Sequence, residues 1–247
     1  MPRLIPFRLV AACALAFVLA LSTAAVAVAK GVPADLRVVG SGGKVLTEQT
    51  LGADTTSVPT SPKATCFGKG TGGSGKAVTV KGATALGLLG RAAKSTPALQ
   101  PLLLTDAFDF GLGLCGIGGS EATSKVSWYL KVNHVNPELG GEAVKLHAGD
   151  EVLWALAPFP YPDELVLVAP DRAMRGHPFS VRVFAYDEKG KKKPAAGATV
   201  SGAEAPTGGD GRTTVVLEKP RRLIARHGKD IPSNRESVCV GGKCPQG

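Results

Sequence analysis

Val126-Ser127-Trp128-Tyr129-Leu130-Lys131-Val132-Asn133 decides the fold class of this chain. Val126, Trp128, Leu130 and Val132 alternate with Ser127, Tyr129, Lys131 and Asn133, and a period of two marks a strand with one buried face. The first set turns to the core. The second set turns to solvent, so Tyr129, Lys131 and Asn133 form the candidate ligand-binding group. An outward aromatic beside an ammonium and an amide suits contact with a glycan or small ligand. Cross-strand pairing on a solvated face is the alternative.

Downstream, the loop 137–141 leads to a short strand, Val144-Lys145-Leu146. Gly149-Asp150 then turns the chain into a further strand, Glu151-Val152-Leu153-Trp154. Upstream, residues 84–93 form the main helix. Thr84 caps its first amides, and Ala85, Leu88, Leu89 and Ala92 share a face. Gly87 and Gly90 each cost on the order of 1 kcal/mol relative to Ala, so the helix depends on tertiary packing. Residues 52–76, rich in Thr, Ser, Pro and Gly, read as loop. Their glycine run at 68–75 lacks the Gly-Lys-Ser/Thr ending of a phosphate loop. Residues 34–51 read as a hairpin, with Leu36–Val39 and Val45–Thr47 around a Gly-Ser-Gly-Gly turn. One helix among short strands predicts an α+β domain over 34–157.

Three prolines within Ala157–Pro162 make a stiff connector, assigned to 158–163. Beyond it the pattern is all-β. Leu165–Val168 is apolar throughout. Phe179, Val181, Val183 and Ala185 alternate with Ser180, Arg182, Phe184 and Tyr186. Asp187–Lys193 is a charged hairpin tip, and Ala198–Val200 and Thr213–Leu217 follow. This spacing predicts an all-β sandwich over 164–240, with 241–247 as a tail.

The N-terminus carries Arg3 and Arg8, an apolar run from Leu9 to Ala29, and Ala27-Val28-Ala29 before Lys30. These are the parts of a cleavable export signal over 1–29. The run is also long enough to act as a retained membrane anchor. Val10-Ala11-Ala12-Cys13 has the look of a lipoprotein box set too early in the run. Cleavage removes two arginines from a chain of formal charge +9 and leaves +7. It also removes Cys13, leaving Cys66, Cys115, Cys239 and Cys244, an even count read as disulfides in an exported chain. Four cysteines allow three pairings, and proximity favours Cys66–Cys115 and Cys239–Cys244.

The segments 78–86, Trp128–Asn133 and Leu146–Trp154, taken in order, resemble the DUF4430 family, related to the C-terminal domain of transcobalamin-like proteins. The resemblance implies a β-grasp-like fold in a secreted or surface protein. In transcobalamin-type proteins such a domain helps enclose a corrinoid, but no partner α-barrel exists here. The Cys66 loop and the Phe108–Gly119 segment also interrupt the family pattern, so corrinoid binding is not carried over. Residues 197–202 and 207–214 resemble immunoglobulin-like or carboxypeptidase-regulatory-like modules, which implies a spacer or adhesive unit.

No catalytic residue, metal site or cofactor is expected. His134, His147, His177 and His227 are scattered, and neither a Gly-x-Ser-x-Gly nor a His-Glu-x-x-His motif occurs. Asp106 and Asp109 read as a solvated loop or as paired carboxylates. The basic turn Lys189–Lys193 fits an anionic surface or simple solvation. The expectation is therefore a secreted, non-catalytic binding or adhesion protein of the cell envelope. Its partner is an anionic envelope polymer, a glycan or a surface protein. Nucleic acid is excluded, and membrane association is expected only if the N-terminal segment is retained. Capture of a corrinoid- or glycan-like small ligand is the alternative.

Overall fold

A computed structural model describes residues 31–245. The export-signal reading of 1–29 lies outside the described residues. The first half comprises β1 (Val32–Gly40), β2 (Lys44–Ala53), β3 (Thr56–Pro59), β4 (Ala77–Val80), α1 (Ala85–Ser95), β5 (Leu102–Phe108), β6 (Gly111–Ile117), β7 (Ser120–Glu121), β8 (Val126–Val132) and β9 (Asp150–Pro158). The second comprises β10 (Glu164–Val168), β11 (Arg172–Ala173), β12 (Pro178–Tyr186), β13 (Lys192–Pro194), β14 (Thr199–Val200), β15 (Arg212–Val216), β16 (Arg221–Leu223), β17 (Ala225–Arg226) and β18 (Glu236–Val240). The chain is mostly β in several sheets, and α1 is the single α-helix among the described residues.

The central sheet runs β2-β1-β9-β8, with β1 and β9 parallel and the other pairs antiparallel. Helix α1 lies on one face. Its Leu86, Leu88 and Leu89 pack with Leu36, Val38, Trp128, Leu130, Val152 and Trp154 in one core. The Thr84 hydroxyl accepts from the Gly87 amide at 3.1 Å. The carbonyls of Val144 and Gly141 take the Ala85 and Leu86 amides at 3.1 and 2.9 Å. The open donors of the first turn are thereby satisfied. This changes the role of 144–146. It is not a ladder strand but a cap, joined through a single Thr84–Lys145 bridge.

Two further differences lie in the first half. The polar stretch 52–76 contains β3, which pairs with β4 and buries Thr56 and Val58 under α1. A Cβ on Gly90 would meet Val58 Cγ1 at 2.3 Å, so this helical glycine allows the close approach. The 102–117 stretch forms the hairpin β5–β6, to which the Cys66–Cys115 disulfide ties the preceding loop.

In the second half β12 pairs with β10 on one side and with β13 and β15 on the other. Leu165, Leu167, Val181, Val183, Val215, Leu223 and Val238 form its core. Cys239–Cys244 closes a small ring at the C-terminal end. A third apolar cluster joins the halves: Val39, Tyr129, Leu153, Ala155 and Ala157 of the central sheet meet Ile231, with Tyr161 of the connector packed against them. The proline-rich connector thus lies on the sheet, and the central sheet is covered on both faces.

Candidate functional site at the junction of the two halves

The alternation along β8 aims Trp128, Leu130 and Val132 at the helix side. The opposite phase does not reach solvent. Tyr129 and Lys131 are each only 1% exposed, because the second half covers the face that the strand pattern leaves open to water. The expectation that Tyr129 and Lys131 face outward is corrected accordingly. Tyr129 stacks on Tyr161 with ring centroids 3.9 Å apart. Its hydroxyl is buried without a hydrogen-bond partner. Burial, with the charges of Glu188 and Glu164 nearby, pushes the phenol well above its usual pKa. Lys131 donates to the carbonyls of Tyr186 and Asp187 at 3.1 and 2.9 Å. Asn133 alone stays exposed, donating to Asp150 at 2.9 Å and accepting from the Glu151 amide at 3.0 Å.

Glu164, the first residue of β10, is the hub of the junction. One carboxylate oxygen takes the Arg37 guanidinium; the other lies 3.3 Å from Lys131 Nζ and 3.2 Å from His134 Nδ1. Arg37 also donates to the Pro232 and Leu165 carbonyls at 2.8 and 3.3 Å. Burial alone would raise the Glu164 carboxyl. The His134 hydrogen bond and the charges of Arg37 and Lys131 outweigh it and hold the pKa at about 2. Burial acts in the opposite sense on Lys131, keeping its pKa below the ordinary lysine value despite Glu164. Charges withdrawn from water this far are tolerated only when paired and hydrogen-bonded. Here they fix one half against the other.

His134 reaches this hub through a tight turn. Asn133 and His134 have φ of 51° and 68°, and the Val135 amide closes on the Val132 carbonyl at 3.0 Å. Positive φ at both central residues is the I′ geometry that matches strand twist. The turn lays the His134 ring on Tyr186, centroids 3.9 Å apart.

From Tyr186 a line of rings and cations runs outward along β12. Lys192 Nζ lies 3.8 Å from the Phe184 ring centroid and 5.6 Å from that of Tyr186. The Arg182 guanidinium sits over the same Phe184 ring at 4.6 Å. Arg212 of β15 stands opposite Arg182 in the register. Asp210 is the carboxylate beside this end, 3.6 Å from Arg212, while its carbonyl takes Arg182 Nε at 3.1 Å. Among the described residues no carboxylate lies within ion-pair distance of Lys192. A cation held over a ring keeps its charge available to an incoming anion. The other lysines of the basic turn divide differently: Lys193 pairs with Asp163 at 2.7 Å, and the amides of Lys189 and Lys191 bind the Asp187 carboxylate.

Beside the hub lies a groove of 520 Å³, lined in part by Asp35, Arg37, Glu48, His134, Glu151 and Glu236. Much of its polarity is already used. Glu48 takes the Arg235 amide and Nε at 3.0 and 2.8 Å, and Asp35 accepts from Thr50. Asn234 accepts from the Leu167 amide at 2.9 Å and donates to the Leu167 carbonyl at 3.1 Å. Its amide thereby occupies the edge of β10 as a neighbouring strand would. Burial pushes the Glu236 carboxyl up against the opposing hydrogen bond from Asn234.

Sequence reasoning missed Arg37, His134 and Glu164, whose association spans up to 127 positions. The outer line was closer to view, since Arg182, Phe184 and Tyr186 share the phase opposite the buried valines. Among the described residues no group of three His, Cys, Asp or Glu side chains is placed to hold a metal ion. Comparisons with protein-family models, with curated proteins and with solved structures return no match for this chain.

Proposed function

We propose that this is an exported, non-catalytic binding protein of the cell envelope that engages an anionic polymer through Arg182, Phe184, Lys192 and Arg212. The observation that carries the reading is the line of cations held over rings on the outer face of β12. Rings offer flat apolar faces, cations meet carboxylates or phosphates, and an open strand face accommodates an extended chain. The formal charge, +9 for the whole sequence and +7 without Arg3 and Arg8, favours the same partners over long range. Two disulfides support an oxidising compartment. No helix of the described residues is long and apolar enough to cross a membrane. The non-catalytic reading rests on the catalytic motifs missing from the sequence. For the fold, the reading is a β-grasp-like first half, in keeping with the DUF4430 resemblance, and an immunoglobulin-like sandwich after it. Support for the first comes from the parallel β1–β9 pair with α1 on one face.

Affinity electrophoresis through gels containing polygalacturonate, with neutral dextran as control, tests the reading. The protein is expected to be retarded by polygalacturonate alone. Phe184→Ala with Lys192→Ala should weaken retardation at least several-fold, while Lys125→Ala, a cation on the first half, leaves it. Equal effects from both changes would reduce the interaction to unspecific net charge. The groove supports a second reading, capture of a small polar ligand, because its 520 Å³ falls within the roughly 300–1,000 Å³ usual for ligand sites. Calorimetry with glycans and corrinoids tests that one.

A further inference from the structure

The β5–β6 hairpin carries a second surface that the polymer reading does not use. Phe110, at the turn after Phe108, is 86% exposed, and Phe67 on the neighbouring loop is 56% exposed. Phe108 links them, edge-on to Phe67 with centroids 5.3 Å apart and stacked on Phe110 at 4.9 Å. Three of the chain's 8 phenylalanines therefore gather at one tip. A Cβ at Gly113 would fall 2.5 Å from the Phe67 ring, so glycine in β6 lets that ring lie against the strand.

The tip is held in place. Cys66 is bonded to Cys115. The Ser61 amide donates to the Leu104 carbonyl at 2.8 Å, and Ser74 donates to Asp106 through both its amide and its hydroxyl at 2.6 Å. The Glu142 carboxylate takes the Leu112 amide at 3.0 Å. The rings are thus presented to solvent by a tied scaffold, and binding need not order a loose loop.

We infer that this tip is a membrane-contact site, inserting Phe67, Phe108 and Phe110 into the interface of an anionic lipid surface. Area argues against a protein occupant. Each phenylalanine side chain has at most about 150–250 Å² to bury. The three together fall short of the roughly 800 Å² per partner that a stable protein interface needs. A bilayer imposes no such threshold, since interfacial binding sums apolar insertion with attraction to charged headgroups. Lys63, Lys69 and Lys76 are exposed on the same loop, and that loop, 61–76, carries no acidic residue. Of the hairpin carboxylates, Asp106 is held by Ser74 and Asp109 stays exposed at the tip. The net positive charge of the chain adds long-range attraction to an anionic leaflet.

Cosedimentation of the signal-free chain with phosphatidylcholine–phosphatidylglycerol vesicles, and with pure phosphatidylcholine vesicles, tests the inference. Binding is expected on the anionic vesicles and weakly on the neutral ones. Phe67→Ser with Phe110→Ser should lower it roughly tenfold. Phe67→Ser with Phe110→Ser should leave retardation by polygalacturonate unchanged, which separates this site from the polymer surface. A Phe110→Trp variant should shift to the blue with vesicles, because Trp128 and Trp154 are buried and contribute a constant background. Unchanged binding in the double serine variant, no vesicle binding at all, or self-association that the double variant abolishes would each overturn the inference. Matching unfolding midpoints for wild type and variant show that folding is not the cause.

Discussion

Replacing Glu164 by Gln preserves the shape of the hub and removes its charge. Arg37 and Lys131 are then left as cations whose remaining partners are neutral: one amide oxygen in place of the carboxylate, and the carbonyls of Leu165, Pro232, Tyr186 and Asp187. The Glu164 and Lys131 side chains are 3% and 1% exposed, so water cannot replace the lost carboxylate. Two routes to the cost agree. Removing one partner of a buried ion pair typically destabilises by about 3–5 kcal/mol. A carboxyl held at about 2 in place of its ordinary 4.5 contributes about 3 kcal/mol at neutral pH. Such a loss is a large part of the roughly 5–15 kcal/mol that stabilises a folded domain. Urea unfolding should be followed by circular dichroism and by fluorescence of Trp128 and Trp154, both in the first half. Glu164→Gln is expected to lose about 3 kcal/mol and to separate the two signals, because the second half is released from the first. Adding Lys131→Met should recover at least about 1 kcal/mol by removing an unneutralised cation. A loss below about 1 kcal/mol, or a further loss on adding Lys131→Met, would refute the claim that charge pairing fixes the junction.

Acid should act through the same residue. The Glu164 carboxyl is depressed, so its stabilisation is complete above about pH 4.5 and is lost as pH falls towards 2. Unfolding midpoints measured across that window should fall for wild type and converge with those of Glu164→Gln. Gly90→Ala should destabilise by about 1–3 kcal/mol in urea, although alanine is the better helix former, because its Cβ meets Val58. Val58→Ala in that background should restore part of the loss. Replacing Cys66 and Cys115 together by serine opens a loop with a sequence separation of 49 and should cost about 4 kcal/mol in chain entropy. The Cys239–Cys244 pair, with a separation of 5, should cost about half as much. Intact mass of the exported protein should begin at Lys30 and lack the four thiol protons of Cys66, Cys115, Cys239 and Cys244.

Much of the local structure was legible because local physics sets it. The 34–51 hairpin, the Thr84-capped helix, the strands through Trp128 and Trp154, and the alternation of 179–185 all recur as elements. Proximity in the chain also selected both disulfides. What escaped was set at a distance. Lys131 lies in the polar phase of β8, and partners in another half of the molecule, Glu164 and the carbonyls of Tyr186 and Asp187, make its burial tolerable. A signal did exist in β9, where Val152 to Ala157 are apolar in both phases. Such a run marks a strand covered on both faces. The β3 strand was hidden because Thr56 and Val58 are its only inward residues in a polar stretch. The phenylalanine tip was hidden by its glycines, which read as loop until Phe67 is seen lying across Gly113.

Binding of an anionic polymer along the outer face of β12 can be followed residue by residue. Amide and side-chain chemical shifts of the isotope-labelled protein, followed during titration with oligogalacturonate, test it most directly. Saturable shifts are expected, concentrated at Arg182, Phe184, Lys192 and Arg212 and weakened by added salt. Shifts scattered over lysines of both halves, or none in this face at saturating polymer, would contradict it.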